Sequence, residues 1–279
     1  MPDVTNPGFS RALRAITLVA RERGYTVIVL NTSGSPETAR ECIEHVMALR
    51  VDGVIIALTW DLARAEIVEL LKSRGIQAVG LAGSRRLEGI DTFMWDETDA
   101  GYRLARYLLR LGHSEIAFLG PRGSESAKRR LQGIEKALLE AGHSPGAARV
   151  LHTADYSAQA AYDSVLEAIG SAVPFTALIT FNDSFTTGAL AALADQGLRV
   201  PEHISVATFG QDHTAFSRPQ ITSMTYDEDS VSARAVGRLI DRIEGTYGEE
   251  PKCELAPLSF VVRTSCQALG ASGVPNCRS

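Results

Sequence analysis

Residues 176–212, TALITFNDSFTTGALAALADQGLRVPEHISVATFGQD, constrain the fold more than any other stretch. Ala177–Phe181 is an apolar run of strand length that stops at Asn182-Asp183. Ala189, Leu190, Leu193 and Ala194 then recur at helical spacing, and Gly197 closes that helix at little cost in the left-handed conformation. Ile204–Phe209 is a second apolar run. Strand, helix and strand in this order predict a parallel βαβ unit. Ligands of such units bind where strand carboxyl ends meet helix N-termini, which here are Asn182-Asp183 and Gly210-Gln211-Asp212. Asn182 and Asp183 equally suit plain helix capping and chain turning.

The chain has 279 residues, enough for one large or two moderate domains that each bury a core. No apolar run approaches the roughly 18 residues of a membrane helix, and MPDVTNPGFS lacks the pattern of a secretory signal. Cys42, Cys253, Cys266 and Cys277 form neither a C-x-x-C pair nor a zinc spacing, so reduced thiols and a cytoplasmic location are expected. Six scattered histidines and no H-E-x-x-H predict no metal site, and no cofactor is expected. A net charge of −5 argues against a nucleic-acid-binding surface on this chain; the pairs Arg85-Arg86 and Arg129-Arg130 are the nearest approach to a basic cluster.

Along the chain, helices are expected near 10–23, 37–49, 62–74, 98–111, 127–141, 157–169 and 230–243. Strands are expected at Tyr25–Leu30, within Val51–Ala57, and at Ile76–Leu81, Ile90–Trp95, Ile116–Leu119, Val150–Thr153, Ile221–Tyr226 and Leu258–Val262. The order helix, Arg-Gly-Tyr, strand, turn, helix, Val-Asp-Gly-Val-Ile-Ile-Ala has a counterpart in helix, Ala-Gly-His, strand, turn, helix, Pro-Phe-Thr-Ala-Leu-Ile-Thr-Phe. Repetition at this scale suggests two similar α/β lobes with right-handed crossovers, and a cleft between lobes is a favoured small-molecule site.

A set of short motifs follows the chain in order: Pro2–Pro7, Arg50-Val-Asp-Gly-Val-Ile-Ile56, Leu111-Gly-His-Ser-Glu-Ile116, Arg130-Leu-Gln-Gly133, Phe181-Asn-Asp183, Gly188-Ala-Leu190, Gly197-Leu-Arg-Val-Pro201, His203-Ile-Ser-Val206, Pro219-Gln-Ile-Thr222 and Arg263-Thr-Ser-Cys266. Each is weak alone. Together they resemble the effector-binding core of LacI/GalR-type transcriptional regulators, relatives of the periplasmic sugar-binding proteins. The resemblance implies an α/β fold of two doubly wound parallel-sheet lobes, joined by three crossings near Asp96, Tyr226 and Pro257, with a cleft between them. It implies an N-terminal lobe of 1–96 plus 227–257 and a C-terminal lobe of 97–226 plus 258–267; the small, polar residues 268–279 are expected to form a frayed tail. It also implies a homodimer and a small-molecule effector, commonly a sugar or nucleobase.

Carried onto this sequence, the resemblance makes Asn6 and Phe9 first-loop contacts, with Phe9 able to stack on a ring or simply pack its helix. Ser126 and Arg130 match polar contacts of the second lobe; Arg130 can offer a bidentate fork to vicinal hydroxyls or a carboxylate, or simply form a surface salt bridge. Asn182 matches a ligand amide, which both donates and accepts. Trp60, at a strand end, and Tyr156, in the matching second-lobe loop, are candidate platforms for which packing is the plainer role. Three departures stand out. Gly210 occupies the place of the family's usual aspartate, so Gln211 or Asp212 is expected to substitute. After Ile76–Leu81 the chain reads Ala82-Gly83, with Ser84-Arg85 further on, where the family often has an acid or arginine; Arg85 joins the candidate set. The DNA-binding headpiece and most of the family's first core strand have no counterpart, so a longer natural product is expected.

The function implied is effector sensing for a transcription regulator, with operator DNA contacted only through a headpiece absent from this chain, and with no membrane partner. A solute-binding protein of a sugar transport system is the alternative within the same fold. An enzyme on a Rossmann-like scaffold is disfavoured: there is no G-x-G-x-x-G after a strand, no P-loop and no G-x-S-x-G.

Overall fold

Apolar runs of strand length alternate with amphipathic helices, and the strands gather into two separate sheets. The computed structural model describes residues 7–32, 36–57, 65–83, 86–171, 175–210, 216–248 and 250–270. The elements are α1 (Pro7–Glu22), α2 (Pro36–Leu49), β1 (Gly53–Ala57), α3 (Ala65–Ser73), β2 (Gln77–Gly83), β3 (Asp91–Trp95), α4 (Glu97–Arg110), β4 (Ile116–Pro121) and α5 (Glu125–Glu140). There follow β5 (Arg149–Thr153), α6 (Ala158–Gly170), β6 (Ala177–Thr180), α7 (Asp183–Asp195), β7 (Ser205–Phe209), β8 (Thr222–Tyr226), α8 (Glu228–Ile243), β9 (Cys253–Ala256) and β10 (Leu258–Val261). The chain divides into two units, Met1–Asp96 with Asp227–Pro257 and Glu97–Tyr226 with Leu258–Ser279.

In the first unit the sheet order is β1-β2-β3-β9, all parallel. One cluster packs Val46, Val68 and Leu71 from α2 and α3 against Val54 and Ile56 of β1. Another packs Ala20, Val236 and Ile240 from α1 and α8 against Ile55. Alternate β1 side chains therefore meet helices on opposite faces, which is why the run is apolar at every position.

The expected strand at Tyr25–Leu30 is not formed: residues 25–32 carry no ladder. Their side chains still alternate in sheet fashion, Tyr25 and Val27 joining the α1–α8 cluster and Leu30 the α2–α3 cluster. Ile28 is 56% exposed, and among the described residues β1 pairs only with β2. β-propensity and alternation place these side chains, but a strand exists only where a neighbour completes its hydrogen bonds. Conversely, β9 was not expected from the sequence; it pairs with β3 from Thr92↔Cys253 to Trp95↔Ala256.

The second unit has the order β10-β8-β7-β6-β4-β5, parallel except for the β10–β8 pair. Strands β4, β6 and β7 are buried along their whole lengths. The chain runs from β4 outward to β5 and then returns to the other side as β6, so the order reverses between β4 and β6. The crevice outside the carboxyl ends at such a reversal is the usual ligand position of a doubly wound sheet. Helices α4 and α5 cross at Gly101 and Gly133: a Cβ on Gly133 would lie 2.0 Å from the Thr98 carbonyl oxygen, and one on Gly101 2.1 Å from that of Arg130. This close approach of two backbones, open only to glycine, brings the start of α4 against α5.

Candidate functional site

The reversal between β4 and β6 is flanked by two helix N-termini. Ser124 caps α5, its Oγ accepting from the Ala127 amide at 3.3 Å. Asn182 caps α7, its Oδ1 accepting from the Phe185 amide at 2.9 Å. Beneath α7, hydroxyl bonds between Thr180 and Thr186 (2.7 Å) and from Thr186 to Thr208 (2.9 Å) tie the helix to the ends of β6 and β7.

Arg130, on the second turn of α5, is the centre of the site and is only 6% exposed. Its Nε donates to Glu97 Oε2 at 2.7 Å and its Nη2 to Glu97 Oε1 at 2.9 Å, a two-bonded fork. Nη2 also donates to the Tyr226 hydroxyl and Nη1 to the Phe181 carbonyl, both at 2.6 Å. The Tyr226 hydroxyl in turn donates to Glu97 Oε2 at 3.1 Å. The guanidinium carbon lies 4.5 Å from the ring centroid of Phe181 and 4.3 Å from that of Phe209. Burial works against the Arg130 charge, but Glu97 above all, with Tyr226 adding to it, more than compensates and holds the pKa above its ordinary value. The fork expected to face a ligand is thus occupied by Glu97, at the first residue of α4, which the glycine crossing of α4 and α5 delivers to it.

Tyr156 packs edge-on against Phe181 with ring centroids 5.8 Å apart, and burial raises its hydroxyl pKa against the opposing influences of Ser124 and Arg130. Ser126 is half-buried one helical turn before Arg130, on the same face of α5. Asn182 uses its carbonyl oxygen as the cap, and no hydrogen bond from its Nδ2 is seen among the described residues, so the amide is the polar end left to meet a ligand. At the end of β7, Gly210 has φ +154°, and the space a side chain would fill holds the Asp183 carboxylate. Near Asp183 is Arg263, whose pKa is lowered by burial and supported by the Asp183 charge.

Ser126, Arg130, Tyr156 and Asn182 thus gather at one pole of the second unit. Phe9 lies half-buried in α1 of the first unit. Asn6, Trp60, Arg85, Gln211 and Asp212 lie outside the described residues. Glu97, Tyr226, Phe181 and Phe209 were not picked out as site residues by the sequence reading. The two phenylalanines carried a signal, since each closes a buried apolar strand immediately before a polar or glycine turn. Glu97 and Tyr226 carried none, because only the packing of α4 and β8 brings them to Arg130. Among the described residues no group of three or more His, Cys, Asp or Glu side chains could hold a metal ion, and no helix is long and apolar enough to cross a membrane.

Two doubly wound units, one with a polar, aromatic-walled pole at its strand ends, define the architecture of a two-unit α/β ligand-binding core. The family of periplasmic binding proteins and sugar-binding domains of the LacI family matches residues 1–246, and the chain belongs to it. The HTH-type transcriptional repressor PurR of Aliivibrio fischeri is 28% identical over 265 residues, covering 93% of this chain and 77% of the relative. A LacI-family transcriptional regulator from Enterococcus faecium, solved with bound ribose, superposes with a TM-score of 0.86 at 26% identity, covering 96% of this chain and 97% of that one. The lac repressor dimer bound to operator and the anti-inducer ONPF superposes with a TM-score of 0.82 at 25% identity, covering 95% of this chain and 79% of that one.

Proposed function

We propose that this chain is the effector-sensing part of a LacI-type transcriptional regulator, and that the pole built around Arg130 binds a small polyhydroxylated metabolite of the sugar class. The observation that carries the reading is the meeting of polar groups and aromatic walls at the strand reversal, in a chain whose family includes a regulator solved with ribose. Ser126 and the Asn182 amide serve as hydroxyl partners, and the rings of Tyr156 and Phe181 supply the apolar wall that a sugar face needs. The chain acts as a sensor rather than as an enzyme, as a homodimer in the cytoplasm, with lobes 1–96 plus 227–257 and 97–226 plus 258–267. Occupancy changes the dimer's conformation only because the effector prefers one state, and that change governs contact with operator DNA.

A thermal-shift screen with pentoses, hexoses, sugar acids, sugar phosphates and nucleobases tests this. A ligand present at 100 times its dissociation constant adds about 2.7 kcal/mol of stability, a shift easily resolved. A sugar hit that weakens in Asn182→Asp supports the reading. A cooperative melt that no sugar moves, or a sugar hit indifferent to that substitution, overturns it.

A further inference from the structure

Glu97 takes up both the charge and the geometry through which Arg130 would otherwise recognise an anion. A guanidinium has five N–H donors, arranged so that pairs of them match a carboxylate or phosphate. The Nε–Nη2 pair is bound by both oxygens of Glu97 at 2.7 and 2.9 Å. The second Nη2 proton goes to Tyr226 and one Nη1 proton to the Phe181 carbonyl. Four of the five donors are therefore used among the described residues, and aromatic rings lie over the guanidinium. What remains is a single Nη1 N–H on an ion whose charge a buried carboxylate already balances; the Glu97 side chain is 5% exposed and that of Arg130 8%.

We infer that Glu97 is a specificity-determining residue: by holding the Arg130 fork it makes this pole accept an uncharged polyhydroxylated ligand and reject an anionic one. The inference rests on the sensing role proposed above, and it deepens that role by naming the charge class of the effector. One N–H serves one hydroxyl or ring oxygen. A phosphate or carboxylate group needs a paired donor set and an uncompensated positive charge, and to obtain them from Arg130 it would have to displace Glu97. That would leave the Glu97 carboxylate buried without its partner, a strongly unfavourable exchange. Glu97 touches the effector only through Arg130, so it is a positioning residue for that contact.

The test is calorimetric titration of inorganic phosphate, against chloride at equal ionic strength, into the wild type, Glu97→Gln, Glu97→Asp and the double variant Glu97→Gln/Arg130→Met. The wild type and Glu97→Asp are expected to show no phosphate-specific binding. Glu97→Gln removes the charge and keeps the shape, and it is expected to bind phosphate at least about tenfold more tightly, a gain of about 1.4 kcal/mol. The double variant should lose that gain. A purely structural Glu97 would destabilise the protein on substitution without producing an anion site. A folded Glu97→Gln with no gain for phosphate overturns the inference. So does a wild type that binds phosphate and loses that binding in Arg130→Met, a result that needs no Glu97 variant to fold. A sugar screen without a hit counts against the proposed function, whereas the phosphate comparison decides the charge role of Glu97 on its own.

Discussion

The carboxylate of Asp183 lies directly against the Cα of Gly210: a Cβ at Gly210 would stand 2.5 Å from Asp183 Oδ2 and 2.7 Å from its Cγ. An acid at this end of the sheet therefore comes from the β6–α7 junction, and Gly210 leaves room for it. Gly210→Ala combines this overlap with a backbone at φ +154° that side chains rarely adopt. It is expected to cost about 1–3 kcal/mol in chemical unfolding. Gly210→Asp is expected to cost more, because it adds a second carboxylate within contact of the first. Denaturant melts of the two variants check both the size and the order.

Asn182 carries two separable duties. Its Oδ1 caps α7, while its Nδ2 is the end proposed to meet the effector. Aspartate caps as well as asparagine but has no N–H to donate. Asn182→Asp is expected to leave the melting temperature nearly unchanged and to weaken sugar binding about tenfold. Asn182→Ala is expected to lose about 1 kcal/mol of stability as well. A melt and a titration of each variant separate the two duties.

The crossing of α4 and α5 should be among the least tolerant places in the second unit. In Gly133→Ala the new methyl meets backbone, the Thr98 carbonyl oxygen at 2.0 Å and the Tyr102 nitrogen at 2.6 Å, which no rotamer change can relieve. The helices must part, and Glu97 moves away from Arg130 with them. A loss of about 3 kcal/mol is expected in equilibrium unfolding.

His113 sits between two partners, Nδ1 at 2.9 Å from the Thr176 hydroxyl and Nε2 at 3.0 Å from the Gln267 carbonyl. The neutral ring satisfies both, with Nε2–H donating to Gln267 and Nδ1 accepting from Thr176. Burial lowers its pKa from the ordinary 6.5, against the pull of the Gln267 carbonyl. Below 6.5 the unfolded chain therefore binds the proton more readily than the folded one. The contribution of this group is complete above pH 6.5 and is lost as pH falls toward the depressed folded value. His113→Gln should flatten that limb of a stability-versus-pH curve, as read from denaturant midpoints between pH 5 and 7.

Cys42, Cys253 and Cys266 are all unpaired thiols, and they differ in reach. Burial pushes the Cys266 thiol up to about 11, whereas Cys253 is exposed at the start of β9. A disulfide reagent at neutral pH should modify Cys253 quickly and Cys266 only on the timescale of unfolding. Peptide mapping of the labelled protein reads out the order directly.

The helices and most strands were legible in the sequence because they follow from local periodicity: α7 from its small apolar residues and Gly197, β6 and β7 from unbroken apolar runs. The cap at Asn182 and the concentration of polar residues at the strand ends were legible for the same reason, since caps and turns are short-range chemistry. Family membership was legible as well, through many weak motifs in the right order. What could not be read was which distant groups would meet. Tyr25–Leu30 has the composition of a strand but no ladder, because pairing depends on a neighbour rather than on the segment itself. Arg130 looked like a fork presented to a ligand; Glu97, 33 positions earlier in the chain, and Tyr226, 96 positions later, occupy it instead. Gly210 looked like a missing acid, and the packed structure shows the Asp183 carboxylate filling that space. Sequence by itself determined most of the elements and their order, because backbone propensity and periodicity act over a few residues. Only the tertiary structure decided charge balance and side-chain neighbours at the site, because hydrogen bonds and ion pairs form between groups that the fold, not the chain, makes adjacent.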